Sequence, residues 1–464
     1  MEAFLKLCFC FLTVLLFNVD FIEGKKPVVT CYVAAWAVNR GKWNISEADT
    51  KHCTHIIYAY MGMNENTSEI MNVDPLIDLE EEGKGKAQLK QLTELKKANP
   101  DLKILASVGG WLQGSVKFSE MARTSSKSTT FINSLIKFIR QWELDGIDIC
   151  WQFPGQRGGK PEDRKNFVNL LKDIKKTFVP EGWLLTVHII AHRDKIRLGY
   201  DVKSISDAVD YINLAAVEYN GPWMRNTGIM APLNSTDGNN VIASLDYVLQ
   251  RGANSSKILL GLPTYGHAYI TDDKIEIEKK YIGLPSDHAF PSPWTQEPGI
   301  IAYNEICFNL KNDKNWKEGF DKNSSTPFAY VDKIFVSFDN KRSLIEKAKL
   351  VISRRLGGMM LWSLDMDDFQ GVCHNESYPM LSAVTDFLIS EEEKIEKTLL
   401  GTEPSESEDK QEHITIAPES ANEGGNQIKK VQTVNIITIE LDLFISKLYH
   451  CLEFLQKQIT RNKS

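Results

Sequence analysis

One short segment sets three side chains of different chemistry at every second position: Asp148, Cys150 and Gln152, within Asp145-Gly-Ile-Asp148-Ile-Cys150-Trp-Gln152-Phe-Pro-Gly155. A β-strand sends alternate residues to one face, so a carboxylate, a thiol and an amide would share a surface. Asp148, set in an apolar run, has to be hydrogen-bonded or neutral. Cys150 would act as a nucleophile only with an activating base, which the sequence does not identify, and its plainer role is a small buried hydrophobe. The histidines, His52, His55, His188, His192, His267, His288, His374, His413 and His450, show neither HExxH nor zinc-finger spacing, so no metal is implied. No phosphate-binding or dinucleotide-binding glycine fingerprint occurs, so no cofactor is expected, and Gly109-Gly110 read as a tight turn after a strand.

Such residues need a frame to point them. β-Branched and aromatic runs predict strands at 28–36, 54–61, 102–108, 145–151, 184–190, 209–217, 257–263 and 357–363. Apolar residues at helical spacing predict helices at 87–98, 131–142, 166–176 and 343–355. This alternation predicts an α/β fold, a parallel (β/α)8 TIM barrel, whose reacting groups would sit at the C-terminal ends of the strands. The interval 264–356 is too long for one helix and has strand-like runs at 299–307 and 328–338, which predicts an inserted α+β subdomain between strands seven and eight.

The 464 residues are 42% hydrophobic and 25% charged, a globular composition that excludes collagen, mucin or wholesale disorder. The formal charge is -7, and 391–427 alone carries eleven acidic and three basic side chains. The remainder is near neutral and lacks the electrostatic footprint of a nucleic-acid or anionic-membrane partner. Residues 1–24 hold Lys6, an apolar run from Leu7 to Phe17 and a polar end, which reads as a signal peptide, and no stretch is long enough to span a bilayer. Export makes the Asn-x-Ser/Thr sequons at Asn44, Asn66, Asn234, Asn254, Asn323, Asn375 and Asn462 candidate glycosylation sites. Without Cys8 and Cys10 of the signal, six cysteines remain, which allow fifteen pairings. A body over 25–390 is followed by 391–433, whose Glu, Ser, Thr, Pro and Gly predict a disordered acidic linker. In the predicted C-terminal amphipathic helix of 434–464, Ile437, Leu441, Phe444, Leu448, Cys451 and Leu455 form a heptad seam. That seam over 434–458 would dock on the barrel or self-associate, with Cys451 as a candidate lock.

The strand-four segment resembles the signature of the family 18 glycoside hydrolases, the chitinases: Asp-x-x-Asp-x-Asp-x-Glu, then an aromatic residue, Pro and Gly. Asp145, Asp148, Phe153, Pro154 and Gly155 match it. The resemblance continues over about 27–390 in Cys31-Tyr32 with Trp36, Cys53-Thr-His-Ile-Ile-Tyr58, Ser107-Val-Gly109-Gly110-Trp111, Pro263-Thr-Tyr265-Gly266 and Met360-Leu-Trp362-Ser-Leu-Asp-Met-Asp-Asp-Phe369. It implies disulfides Cys31 to Cys53 and Cys307 to Cys373, with Cys150 and Cys451 left over. It also implies that Tyr32, Trp36, Tyr60, Trp111, Trp223 and Trp362 line a saccharide cleft, where aromatic faces stack on pyranose rings.

Departures from the signature decide the expected function. The resemblance implies a general acid at the final Glu, the substrate N-acetyl group as nucleophile and the preceding Asp orienting it. Gln152 and Cys150 stand at those two positions, and an amide has no proton to give near neutral pH. The family's strand-six Met-Thr-Tyr-Asp aligns with Ala215-Ala216-Val217-Glu218, so Val217 replaces the phenol that steadies the acetamide. Asp145, Asp148, Cys150, Gln152, Val217 and Glu218 thus form a degenerate catalytic set, and no chitinase activity is expected. The expectation is a secreted lectin that binds N-acetylglucosamine oligomers or glycoprotein glycans, with Gln152 among its sugar contacts. Gln in place of the acid also resembles the insect imaginal disc growth factor class, which implies signalling through a protein receptor. A third reading is a weak chitinase with its acid relocated to Glu218.

Overall fold

The computed structural model describes residues 27–399, apart from 42, 81 and 82. Its strands β1 (Val28–Ala34), β2 (His55–Met63), β3 (Lys103–Gly109), β4 (Gly146–Cys150), β5 (Leu184–Ile190), β6 (Tyr211–Ala215), β7 (Ile258–Pro263) and β8 (Gly358–Trp362) run parallel. Each pairs with the next and β8 returns to β1, with Val28 opposite Gly358 and Thr30 opposite His55. The TIM barrel is as expected, because both faces of every strand can be covered by apolar surface. Inward residues such as Val28, Ile57, Leu105, Leu259 and Met360 fill the barrel. Outward residues such as Val29, Val33, Ile104 and Ile147 pack beneath the helices.

The helix predicted over 131–142 is the second half of Ser125–Gln141, which turns Phe131, Leu135, Phe138 and Ile139 onto the strands at helical spacing. Asp163–Phe178 buries Phe167, Leu170, Leu171 and Ile174 in the same way. After β1 the crossover is a 3₁₀ turn, Ala35–Arg40, which brings Trp36 and Arg40 over the barrel mouth.

Between β7 and β8, Tyr265–Thr271 opens a six-stranded antiparallel sheet with its own core around Tyr269, Phe328 and Phe335. The run 299–307, expected as a strand, divides into Ile300–Ala302 and a helix, Tyr303–Asn312, because Glu305 turns back to accept a hydrogen bond from Ala302 N at 3.1 Å. The run 328–338 is two strands, Thr326–Val331 and Ile334–Ser337, joined at Asp332 in the left-handed region (φ 48°). The helix Lys341–Ser353, enclosed by the expected 264–356 insertion, packs on barrel strands and on the last helix and belongs to the barrel.

That last helix, Pro379–Leu399, overturns the start of the expected linker at 391. Glu391 and Lys394 pair at 2.6 Å and Glu393 and Lys397 at 3.9 Å, so the charged turns, exposed from Glu393 onward, continue the helix. The rest of the linker, the 434–464 helix with Cys451, Asn462 and the signal peptide lie outside the described residues. Cys31 is bonded to Cys53 and Cys307 to Cys373, as the resemblance implied, while Cys150 is free and buried. Among the described residues no helix is long and apolar enough to cross a membrane.

Candidate functional site

Asp148 lies at the centre of the barrel with four donors around it. Its carboxylate accepts hydrogen bonds from Tyr32 Oη (3.1 Å), Ser107 Oγ (2.6 Å), Thr186 Oγ1 (2.7 Å) and Asn213 Nδ2 (3.2 Å). These come from β1, β3, β5 and β6, so one buried group fastens the inner faces of five strands. The donors fill the lone-pair directions of the carboxylate and leave little of it for a ligand.

One step up β4, the Cys150 thiol is fully buried beside Tyr60 and Gln152. Burial pushes its pKa up and the negative charge of Asp148 adds to this, so the thiol stays protonated and cannot act as a nucleophile. Gly109 and Gly110, both at positive φ, make this close approach feasible. A Cβ at 109 would collide with the Cys150 carbonyl oxygen, and one at 110 would lie 2.7 Å from the Tyr60 ring.

Above them opens a cleft of about 740 Å³, lined by Trp36, Tyr60, Trp111, Gln152, Val217, Glu218, Trp223 and Trp362. Trp362 and Tyr60 stack with centroids 5.7 Å apart, and Trp36 extends the stack to Tyr60 at 6.3 Å. Trp111 and Trp223 stand at the rim, 59% and 53% exposed. Such apolar surface left in water at the edge of a cleft favours a ligand with an apolar face.

Two expected members stand elsewhere. Tyr32 is fully buried under Trp362, at a centroid distance of 5.3 Å, and its hydroxyl is committed to Asp148, so it supports the cleft floor without lining it. Asp145 lies at the opposite end of β4, where its carboxylate accepts from Ile104 N at 2.7 Å and pairs with Lys96 at 2.6 Å. It braces the base of the barrel.

Tyr265, His188, His192 and His267 were not assigned to the cleft from the sequence. Tyr265 lines the wall and donates to Glu218 Oε1 at 2.9 Å, while His267 Nε2 lies 3.9 Å from the same oxygen. Glu218 itself sits in the left-handed region (φ 59°), which turns its carboxylate into the cleft. His188 and His192 line the cleft beside β5, and burial lowers the pKa of both imidazoles and of His267, favouring the neutral form. The available signal was alternation on β5, where Thr186 and His188 are inward polar residues in an apolar strand. Among the described residues the one grouping with metal-ligand geometry is Cys307, Asp368 and Cys373, whose two sulfurs are already joined to each other. The sequon asparagines 44, 66, 234, 254, 323 and 375 are all exposed.

The pattern of glycosyl hydrolases family 18 matches residues 28–367. The chain belongs to this family. Probable chitinase 2 of Drosophila melanogaster is 37% identical over 360 residues, 75% of this chain and 73% of that protein. A group IV chitinase of Ostrinia furnacalis superposes with a TM-score of 0.74 at 33% identity, covering 78% of this chain and all of that one. Human YKL-39, described as a pseudo-chitinase with retained chitooligosaccharide binding properties, superposes with a TM-score of 0.68 at 29% identity, covering 78% of this chain and 99% of that one. Family 18 therefore includes proteins named as chitinases and one described as a pseudo-chitinase on this same frame, and the cleft residues must decide between them.

Proposed function

We propose that this family 18 protein is a lectin that binds N-acetylglucosamine oligomers, or glycans containing them, without cleaving them. The observation that carries the reading is Gln152, which lines an aromatic cleft at the position matching the family's acid and has no proton to transfer. The neutral thiol of Cys150 behind it and the alkyl side chain of Val217 across from it support the same reading, since neither can orient an acetamide as a carboxylate or phenol would. The stacked Trp362, Tyr60 and Trp36 supply the sugar platform. The amino-terminal signal and the two disulfides are consistent with an exported protein.

The test is calorimetric titration with chitohexaose, alongside Trp362→Ala, with the sugar checked for cleavage by mass spectrometry. Saturable binding of intact sugar, lost in the variant, is expected. No binding at millimolar sugar would sink the cleft reading and turn the search to a protein receptor. The rival is hydrolysis through Glu218, favoured by the carboxylate's presence in the cleft and opposed by the Tyr265 hydroxyl already donating to it. Chitooligosaccharide turnover that disappears in Glu218→Gln would establish the rival.

A further inference from the structure

After β4 and β5 two cations are held on aromatic rings at the cleft, Lys195 among its lining residues and Arg157 outside them, exposed on the rim residue Trp111. Arg157 lies on Trp111 with its Cζ 3.8 Å from the ring centroid, and its Nη1 donates to the carbonyl oxygens of Trp111 at 2.9 Å and Gln152 at 3.0 Å. Lys195 lines the cleft with Nζ 4.9 Å from the Phe153 centroid. Trp111 and Phe153 meet edge to face at 6.4 Å, so the two cations flank a single aromatic corner.

Neither cation forms an ion pair among the described residues. Partial burial of the guanidinium against the ring lowers the pKa of Arg157. The two carboxylates that line the cleft are engaged elsewhere, Glu297 with Arg40 and Glu218 with the Tyr265 hydroxyl. Arg157 is also held in a left-handed backbone conformation (φ 51°), unfavourable for a residue with a side chain, and that conformation carries its guanidinium onto the ring. Only Nη1 is committed to the protein, which leaves the planar Nε and Nη2 edge for a bidentate anion. The chain outside its acidic tail is near neutral, so these charges are a local feature and not one part of a general basic surface.

We propose that this end of the cleft binds the anionic substituent, carboxylate or sulfate, of a β-linked saccharide containing amino sugars. A sugar ring packs against the Trp111–Phe153 corner while Arg157 and Lys195 take the anion. The inference rests on the saccharide-binding reading and narrows its ligand to acidic members of that class.

The experiment titrates the full chain with three β-linked hexasaccharides: neutral chitohexaose, carboxylated hyaluronan and O-sulfated chitohexaose, each at about 50 and about 200 mM salt. At least one anionic sugar is expected to bind about tenfold more tightly than chitohexaose at low salt, and the preferred arm tells carboxylate from sulfate. That advantage shrinks at the higher salt, collapses in Arg157→Gln/Lys195→Gln and survives in Lys195→Arg. Anionic sugars that bind no more tightly than chitohexaose would overturn this inference while leaving the lectin reading standing, as would an advantage that persists in the double variant. If none of the three sugars binds, both readings fall.

Discussion

Gln152→Glu returns a carboxyl to the end of β4, and the structure indicates how little this change alone should achieve. The new group would stand beside the neutral Cys150 thiol, while Arg157 Nη1 at 3.0 Å from the carbonyl oxygen of residue 152 brings positive charge to the same place. Residue 152 is only partly buried, so the deep burial that raises the pKa of effective general acids is absent there. A pKa near the ordinary Glu value of about 4.3 leaves roughly one molecule in 500 protonated at pH 7. That fraction cancels most of the ~10²- to 10⁴-fold a positioned general acid supplies. Cys150 and Val217 would still leave the acetamide without its orienting groups. Hydrolysis of a fluorogenic chitooligosaccharide by Gln152→Glu at pH 7 is therefore expected within about tenfold of the wild-type background, rising toward about pH 4.5 as the carboxyl protonates. Further gain is expected only on adding Cys150→Asp and Val217→Tyr. Turnover by the single variant at pH 7 of about 10²-fold above wild type would refute the argument.

Burial lowers the pKa of His188, His192 and His267, so below about pH 6.5 the unfolded chain takes up protons that the folded chain resists, and a contribution complete above that pH is lost beneath it, while the Asp367 carboxyl, pushed up to about 7 by burial, acts in the opposite sense. Between about pH 7 and about pH 5 the Tm of the wild type should therefore fall relative to that of His188→Gln, and parallel profiles would contradict this. Asp148→Asn turns an acceptor into a donor among four donors and should cost about 2–4 kcal/mol in urea unfolding, whereas a loss under about 0.5 kcal/mol would deny its role as the barrel's central fastening. Cys307→Ala/Cys373→Ala opens a link between residues 66 apart and should cost about 4 kcal/mol on the chain-entropy account, so an unchanged denaturation midpoint would argue against the bond.

The barrel strands were legible because a parallel strand buried on both faces leaves a short unbroken apolar run, and each expected bound lies within two residues of the observed one. Runs such as 299–307 were not, since Tyr303, Ile306 and Cys307 are equally suited to a buried helix face, and the deciding contact is Glu305 reaching back to Ala302. The helix beyond 390 was missed because composition registers low apolar content but not the spacing of Glu391 to Lys394 and Glu393 to Lys397. In the cleft, aromatics at strand ends announced themselves, yet the depth of each did not. Tyr32 and Trp362 both point inward, and only the three-dimensional stack shows that one roofs the other. Arg157 and Lys195 gave no signal at all, because an isolated cation in a loop reads as solvated surface until the ring beneath it is seen.

The distribution of residues around the barrel explains how cleavage chemistry and sugar binding can separate in this fold. Cys150, Gln152 and Val217, where the sequence departs from the signature it resembles, come from β4 and from the ends of β4 and β6. Tyr60 and Trp362 come from β2 and β8 and Trp36 from the turn after β1, on the other side, and the three pack on one another. The walls share a floor in Asp148, whose donors span β1, β3, β5 and β6 and hold the barrel whether or not an acid stands above it. Substitution on the β4 and β6 side therefore leaves the aromatic stack undisturbed. Loss of Asp148 would instead strain both walls at once, which gives this buried carboxylate a structural task independent of cleavage chemistry.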